Sequence, residues 1–200
     1  MSESRPNPDE LLKVIRVEEE NQTKGHLKIF FGYAAGVGKT YAMLKAAHIA
    51  KNQGVDVVAG YIEPHARPET AALLNGLELL PTQEVEYNGI TLHEFDIDTA
   101  LKRKPQLMLV DELAHTNAQG CRHTKRYQDI KELLNAGIDV YTTVNVQHIE
   151  SLCDVVASIT EVFVRERIPD SLFDNADQVE LVDIEPQELI DRLNAGNVYK

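Results

Sequence analysis

The sequence contains no tryptophan, only two cysteines and no long apolar run, and each absence excludes a class of protein. Cys121 and Cys153 lack the spacing of a zinc site or a disulfide scaffold, so we expect two reduced thiols. No apolar stretch approaches the roughly 18 residues that a membrane-spanning helix needs. The first ten residues are polar and acidic, unlike a secretory signal or a transit peptide. These features together predict a cytoplasmic location.

Positive charge is also scarce, since 20 lysines and arginines stand against 32 acidic residues and the net charge is -12. Phosphate backbones attract basic surfaces, so this balance predicts that nucleic acid is not a partner. The negative net charge does not argue against a nucleotide site, because a few backbone N–H groups, one lysine and a metal suffice to bind a nucleotide. A length of 200 residues with 43% hydrophobic content indicates a folded globular domain.

Short β-branched runs alternate with helical stretches, which predicts an α/β fold with three layers and a mainly parallel sheet. We expect a polar leader over residues 1–25, with a short helix starting at Asn7 and Pro8, and a nucleotide-binding domain over 26–200. The predicted strands are 27–31, 56–63, 107–111, 139–144, 162–166 and 178–184. The predicted helices run from Lys39 to Asn52, from Pro68 through Leu77, from Tyr127 to Gly137, from Ile149 to Ile159 and from Pro186 to Gly196, and Asn88-Gly89 predicts a hairpin turn.

The segment GYAAGVGKT, residues 32–40, lies between a predicted buried strand and an amphipathic helix. Glycines there allow the backbone to approach phosphates, and the N–H groups at the helix start converge on them. The lysine would reach the β- and γ-phosphates, and the threonine hydroxyl would hold Mg²⁺. The nucleotide-binding residues expected in this phosphate loop are Gly36, Val37, Gly38, Lys39 and Thr40.

One position departs from the full GxxxxGK[ST] pattern, because Tyr33 stands where glycine is usual and Gly32 comes one place early. A bulky residue there would crowd the loop, and the alternative is a glycine-rich turn that happens to end in GKT. No guanine-reading NKxD or TKxD element follows the fourth strand, which favours ATP over GTP. Ala34 occupies the position of the signature lysine of chromosome-partitioning ATPases, which argues against that group.

Asp111 and Glu112 follow the apolar run LMLV and are predicted to lie at the carboxyl edge of the sheet. There Asp111 would bind Mg²⁺ through water, so Thr40 and Asp111 are the expected metal residues. Glu112 occupies the position that polarises attacking water in the division of P-loop NTPases with an extra strand between these two motifs. It is the candidate catalytic base, and the alternative is an inert surface carboxylate.

The strand DVYTTVN ends in polar residues, of which Thr143 and Asn145 would sense the γ-phosphate; the alternative is ordinary strand-end polarity.

The following candidates come from the polar loop 112–126. Arg122 or Arg126 would contact phosphate like an arginine finger, in cis or on a neighbouring subunit, and the alternative is a solvated basic loop. We expect His115 in a hydrogen-bonding role rather than as the base.

The stretches GYIEPHARPET, DELAHTN and DVYTTVNVQH resemble the N-terminal domain of KdpD, the family of sensor histidine kinases of the bacterial Kdp potassium-uptake system. The resemblance extends over nearly the whole chain. It implies a cytosolic, ATP-binding regulatory domain that tunes the balance between kinase and phosphatase activity in a two-component system. It also implies attachment to other domains of a membrane sensor kinase, or a partner kinase, with dimerisation and membrane contact supplied through further sequence.

The sequence is therefore compatible with three functions. The first is a regulatory ATP sensor whose 113–126 loop is ordered by the γ-phosphate and Mg²⁺. The second is an enzyme, a slow ATPase or small-molecule kinase that uses Glu112 as base. The third is an interaction module in which Tyr33 fills the nucleotide site.

Overall fold

The computed structural model describes residues 23–63, 68–87 and 89–196. The leader helix predicted at Asn7 and Pro8, and the Asn88 half of the predicted turn, lie outside these residues. Within the described ranges, every helix is too short or too polar to cross a membrane.

The chain folds around a six-stranded sheet in the order β3-β2-β6-β7-β1-β8, in which every pairing is parallel, and a separate antiparallel hairpin, β4-β5. The strands are β1 (Leu27–Gly32), β2 (Val57–Tyr61), β3 (Glu78–Leu79), β4 (Gln83–Tyr87), β5 (Ile90–Glu94), β6 (Leu107–Val110), β7 (Asp139–Asn145) and β8 (Gln178–Leu181). The predicted α/β class with a parallel sheet is confirmed. In this sheet β7 lies between β1 and β6.

Helices connect the parallel strands, as crossover connections require. They are α1 (Lys39–Asn52), α2 (Pro68–Ala72), α3 (Ile97–Arg103), α4 (Arg126–Asn135), α5 (Cys153–Thr160), α6 (Asp170–Asp174) and α7 (Pro186–Asn194), with 3-10 turns at Val146–His148 and Glu150–Leu152. The helices predicted at 39–52, 127–137 and 186–196 are thereby confirmed within two residues at each end. Cys121 and Cys153 are free thiols, as predicted.

The two faces of the sheet carry separate apolar cores, which gives the domain its three layers. In β6 every position is buried, and alternate side chains point to opposite faces. Met108 belongs to the core that includes Ile130 of α4. Leu109 belongs to the core that includes Leu44 of α1. A strand covered on both faces is expected to be apolar throughout, and LMLV is.

The strand predicted at 162–166 is wrong, because the described chain is irregular there. Val162 and Phe163 are 60% and 77% exposed, so their β propensity is not supported by burial. Among the residues that the structure describes, the pairing nearest this segment is an isolated bridge between Ile149 and Ile168.

Two predicted helices are shorter than expected. The helix from Pro68 ends at Ala72 instead of continuing through Leu77. The chain after it is a series of turns ending at Gly76, whose φ of 84° a helix cannot continue through. The helix predicted from Ile149 begins at Cys153, after the two 3-10 turns.

Helix α3 was not predicted from the sequence. Its N-cap is Asp96, whose Oδ1 accepts a hydrogen bond from Thr99 N at 3.0 Å. An aspartate directly before an apolar residue is a recognisable helix start, and here the apolar Ile97 and Ala100 are buried.

Candidate functional site

The loop between β1 and α1 contains two glycines in the left-handed backbone region. Gly36 and Gly38 have φ values of 92° and 103°, in the left-handed region that glycine adopts without strain. Gly38 is the N-cap of α1, no side chain caps this end, and the first turn contains no acidic residue. The first amides of α1 therefore lack partners within the helix, and the dipole of α1 favours an anion at this end.

Lys39 and Val37 line the inside of this loop. The ammonium of Lys39 donates to the carbonyl of Ala34 at 2.9 Å, so the side chain bridges back across the turn. Val37 is 2% exposed. A Cβ added to Gly32 would lie 2.7 Å from a methyl of Val37, so the turn is tightly folded against the end of β1.

Asp111 connects three elements at the carboxyl edge of the sheet. It follows β6 and is 1% exposed. Its Oδ2 accepts from the hydroxyl of Thr40 in α1 at 3.0 Å, and its Oδ1 accepts from the hydroxyl of Thr143 in β7. Three residues predicted separately from the sequence are thus in direct contact.

Glu112 adopts a backbone conformation unusual for a residue with a side chain. Its φ is 60°, and its N–H lies 3.2 Å from both Asp111 Oδ1 and Thr143 Oγ1. Burial, followed by the negative charges of Glu63 and Asp111, raises the pKa of Glu112 to about 7. Strained conformations of this kind concentrate at functional sites.

Asn145, at the end of β7, is in register with Gly32 at the start of the phosphate loop. Its side-chain oxygen is buried and lacks a hydrogen-bond partner among the described residues, as does the hydroxyl of Thr142. Buried polar atoms normally have hydrogen-bond partners, so the Asn145 side-chain oxygen is an acceptor that is still available beside the loop.

Arg122 lies in a different set of contacts from the other predicted residues. Its Nη1 donates to Asp98 of α3 at 2.5 Å, and its Nη2 donates to Glu132 of α4 at 2.6 Å. No described contact brings Arg122 to Thr40 or Asp111.

Arg126 is fully buried, so the interpretation of a solvated basic loop is wrong for this residue. Its Nη2 donates to Glu94 at 2.7 Å, and its guanidinium stacks on the ring of Tyr61 at 4.0 Å. Its Nη1 lies 3.4 Å from the carbonyl of Asp111, which links the loop to the site. His115 Nε2 lies 3.1 Å from both oxygens of Glu94, which confirms its hydrogen-bonding role.

Tyr33 is directed toward the segment after β8. Its hydroxyl donates to the carbonyl of Ile184 at 3.1 Å. Together with Asp183, Glu185, Pro186 and Glu188 it lines a shallow cleft. The residue expected to crowd the phosphate loop therefore makes its polar contact elsewhere.

Sequence reasoning missed Arg192 of α7. Its Nη1 donates to the carbonyl of Gly36 at 3.1 Å, which joins the last helix to the phosphate loop. A signal was present, since Arg192 is the only basic residue in the sequence PQELIDRLN. The 156-residue separation from Gly36 gave no reason to connect the two.

Comparison with known proteins gives consistent matches. The family model described as "KdpD: Osmosensitive K+ channel His kinase sensor domain" matches residues 23–200. The chain is 62% identical over 196 residues to the sensor protein KdpD of Clostridium acetobutylicum and 55% identical over 195 residues to that of Escherichia coli. It is 52% identical over 176 residues to a putative sensor protein KdpD of Synechocystis sp..

These relatives are longer than the chain. The first two matches cover 98% of this chain but only 22% and 21% of the relatives. The Synechocystis match covers 88% of this chain and 48% of that relative. The chain thus spans about a fifth of the length of the first two.

Proposed function

The chain belongs to the KdpD family of osmosensitive K⁺ channel histidine-kinase sensor domains, and on that basis we propose that it is an ATP-binding regulatory domain. The observation that carries the proposal is the contact of Asp111 with both Thr40 and Thr143 at the edge of the sheet next to the glycine loop. Two strand ends and a helix start converge there, as a nucleotide–metal site requires.

The proposed fold is that of a P-loop NTPase of the division with an added strand. The position of β7 between β1 and β6 supports this assignment. The left-handed Gly36 and Gly38 and the uncapped start of α1 would hold the phosphates, with Lys39 close by. The buried, unsatisfied oxygen of Asn145 would accept a hydrogen bond from the bound ligand or from its water.

Thr40 and Asp111 fit a magnesium ion, because a hydroxyl and a carboxylate are the oxygen ligands that Mg²⁺ prefers. Their oxygens are 3.0 Å apart, so both could face one ion or its water shell. Magnesium usually takes only one or two protein ligands and completes its shell with phosphate and water. When bound, Mg²⁺ would neutralise part of the phosphate charge.

The route from nucleotide to signal would run through the loop 113–126. Arg126 contacts both the carbonyl of Asp111 and the carboxylate of Glu94. A change at Asp111 or Glu112 would therefore reach α4 and the β4-β5 hairpin. In a longer sensor kinase this would tune the balance of kinase and phosphatase activity on the cytosolic side, through contacts with neighbouring domains or a second copy.

A slow ATPase is the second candidate, and Glu112 is the observation that favours it. A carboxylate with a pKa of about 7 is suited to accept a proton from water near neutral pH. A nucleotide-free interaction module is less well supported, because Tyr33 bonds to Ile184.

Isothermal titration with ATP and Mg²⁺ tests the proposal. We expect saturable binding of one ATP per chain, and a loss of at least about tenfold in affinity in Lys39→Ala, because a lysine–phosphate contact is a charge-assisted hydrogen bond. Lys102→Ala, which removes one exposed positive charge from α3, is the matched control and should bind like the wild type. Absence of heat at millimolar ATP would overturn the proposal.

A further inference from the structure

We propose that Arg192 of α7 is a phosphate-contacting residue, and that it couples the position of this helix to nucleotide in the loop between β1 and α1. The inference rests on the proposed ATP site. It adds that Arg192, an arginine of the same chain, contacts the bound phosphate, and that α7 is the element that responds to the nucleotide.

The geometry places the Arg192 guanidinium against the loop at two points. Nη1 donates to the carbonyl of Gly36 at 3.1 Å. A Cβ placed on Gly38 would meet the same nitrogen at 3.9 Å. Both glycines have the left-handed backbone that turns amides toward a phosphate. The guanidinium is therefore within a few ångströms of the proposed phosphate position.

The chain preceding α7 is also attached to the loop side of β1. Val182 N donates to the carbonyl of Phe31 at 2.7 Å, and Tyr33 donates to Ile184 at 3.1 Å. These contacts hold the start of α7 in place. The far turn of the helix, which carries Arg192, is connected to the loop through the guanidinium.

The present partners of Arg192 leave it capable of a further bond. A guanidinium has five N–H donors. The described bonds of Arg192 go to Gly36 O and, at 2.5 Å, to Glu188 Oε1 within the same helix. A carbonyl is a neutral acceptor, whereas a phosphate oxygen forms a charge-assisted bond about twice as strong. Bound phosphate would hence draw the guanidinium inward and hold α7 more firmly.

The charges around Arg192 determine what its removal would do. Asp183, Glu185 and Glu188 line the cleft beside Tyr33, so the surface on this side is acidic. Arg192 is the one basic residue of α7, and it bonds both to Glu188 of that surface and to Gly36 of the loop. Without it, a triphosphate would approach a locally negative region. Its removal is expected to weaken triphosphate binding more than nucleoside binding.

The test combines ATP titration with hydrogen–deuterium exchange of α7. In the wild type, ATP with Mg²⁺ should slow amide exchange in residues 189–196. In Arg192→Ala, ATP affinity should fall by roughly tenfold, the value of one charge-assisted bond, and the exchange response should disappear. Arg192→Lys keeps the charge without the planar fork and should be intermediate in both measurements. Lys102→Ala should match the wild type.

The outcomes separate this inference from the function on which it rests. Absence of ATP binding by the wild type would overturn both. Wild-type binding that Arg192→Ala retains in full, or an α7 response that survives in Arg192→Ala, would overturn the role of Arg192 alone. Adenosine serves as the ligand without phosphate, and it should leave α7 exchange unchanged in every variant.

Discussion

At Asp111 one carboxylate accepts hydrogen bonds from hydroxyls on two different elements, Thr40 in α1 and Thr143 in β7. The carboxylate is almost completely buried, so it depends on these donors for solvation. Each hydroxyl therefore contributes to stability as well as to the shape of the site.

Replacing Thr143 by alanine should lower the free energy of unfolding by about 1–3 kcal/mol, because one oxygen of a buried carboxylate loses its donor. Urea denaturation measures this loss. Thr143→Ser keeps the hydroxyl and should recover most of the stability. Equal losses in the two variants would show that the methyl group, rather than the hydrogen bond, is responsible.

The raised pKa of Glu112 predicts a pH dependence with a definite sign. Because burial and neighbouring negative charge raise its pKa from 4.5 to about 7, the folded state binds this proton more tightly than the unfolded state. The contribution of Glu112 to stability therefore falls as pH rises from about 4.5 to about 7 and is constant outside this window. Glu112→Gln removes the effect.

We expect Glu112→Gln and the wild type to differ least in melting temperature near pH 4, with the variant gaining relative stability up to about pH 8. Partial exposure of the side chain, 40%, makes the gain smaller than full burial would. A difference in melting temperature that stayed constant across this range would contradict the raised pKa. If the chain hydrolyses ATP, the same variant should retain binding and lose turnover.

The sequence predicted the contact set at Asp111 better than it predicted the arginines. Asp111 follows β6, Thr40 lies in the first turn of α1 and Thr143 lies near the end of β7. These elements have clear apolar patterns, and parallel strand ends share one edge of the sheet. The contacts of Arg122 and Arg192 depend on which side of a loop or helix faces the site. The periodicity of the sequence does not determine that side. The phosphate and metal roles predicted for Thr40, Asp111, Thr143 and Arg122 stay predictions.

At the scale of elements, the loop 112–126 is held by a buried ion pair. Glu94, at the end of β5, accepts from Arg126 at 2.7 Å and from the N–H of Ala118 at 2.8 Å. Burial alone would raise the pKa of Glu94, but hydrogen bonds from His115 and Ala118, with the charge of Arg126, lower it overall. The hairpin and the loop are thus joined by charge.

Arg126→Met should lower the free energy of unfolding by about 3–5 kcal/mol, because it leaves Glu94 buried without its cation. Arg122→Met is the matched control. It removes another arginine of the same loop, but that side chain is 45% exposed. Its ion pairs should contribute only about 0–1 kcal/mol. Chemical denaturation of both variants measures the difference, and equal losses would contradict the burial argument.

The hydrophobic pattern predicted the long elements and failed for the short ones. Every residue of β6 is buried, and the buried residues of α1 recur at helical spacing, so the sequences alone indicate these two elements. At 162–166 the composition favoured a strand, but no neighbouring strand covers Val162 and Phe163. Strand formation depends on partners that are remote in sequence, and a single segment does not reveal them.

At the scale of the whole molecule, the three layers position the candidate site, and the overall charge would oppose the binding of the proposed ligand. The net charge of -12 repels ATP at long range. At the proposed site, affinity for ATP would therefore have to come from short-range groups, namely the amides of the loop, Lys39 and a metal at Thr40 and Asp111. The predicted boundary at residue 25 stays a prediction, because residues 1–22 lie outside the described part of the chain.

The central claim is that the phosphate loop and Asp111 form one ATP–Mg²⁺ site. The most direct measurement is ATP affinity, with Mg²⁺ and with EDTA, for the wild type and Asp111→Asn. We predict that Mg²⁺ tightens ATP binding by about tenfold or more in the wild type and has little effect in Asp111→Asn, whose amide is a poorer ligand. Absence of ATP binding by the wild type, or a magnesium effect of equal size in both proteins, would contradict the account.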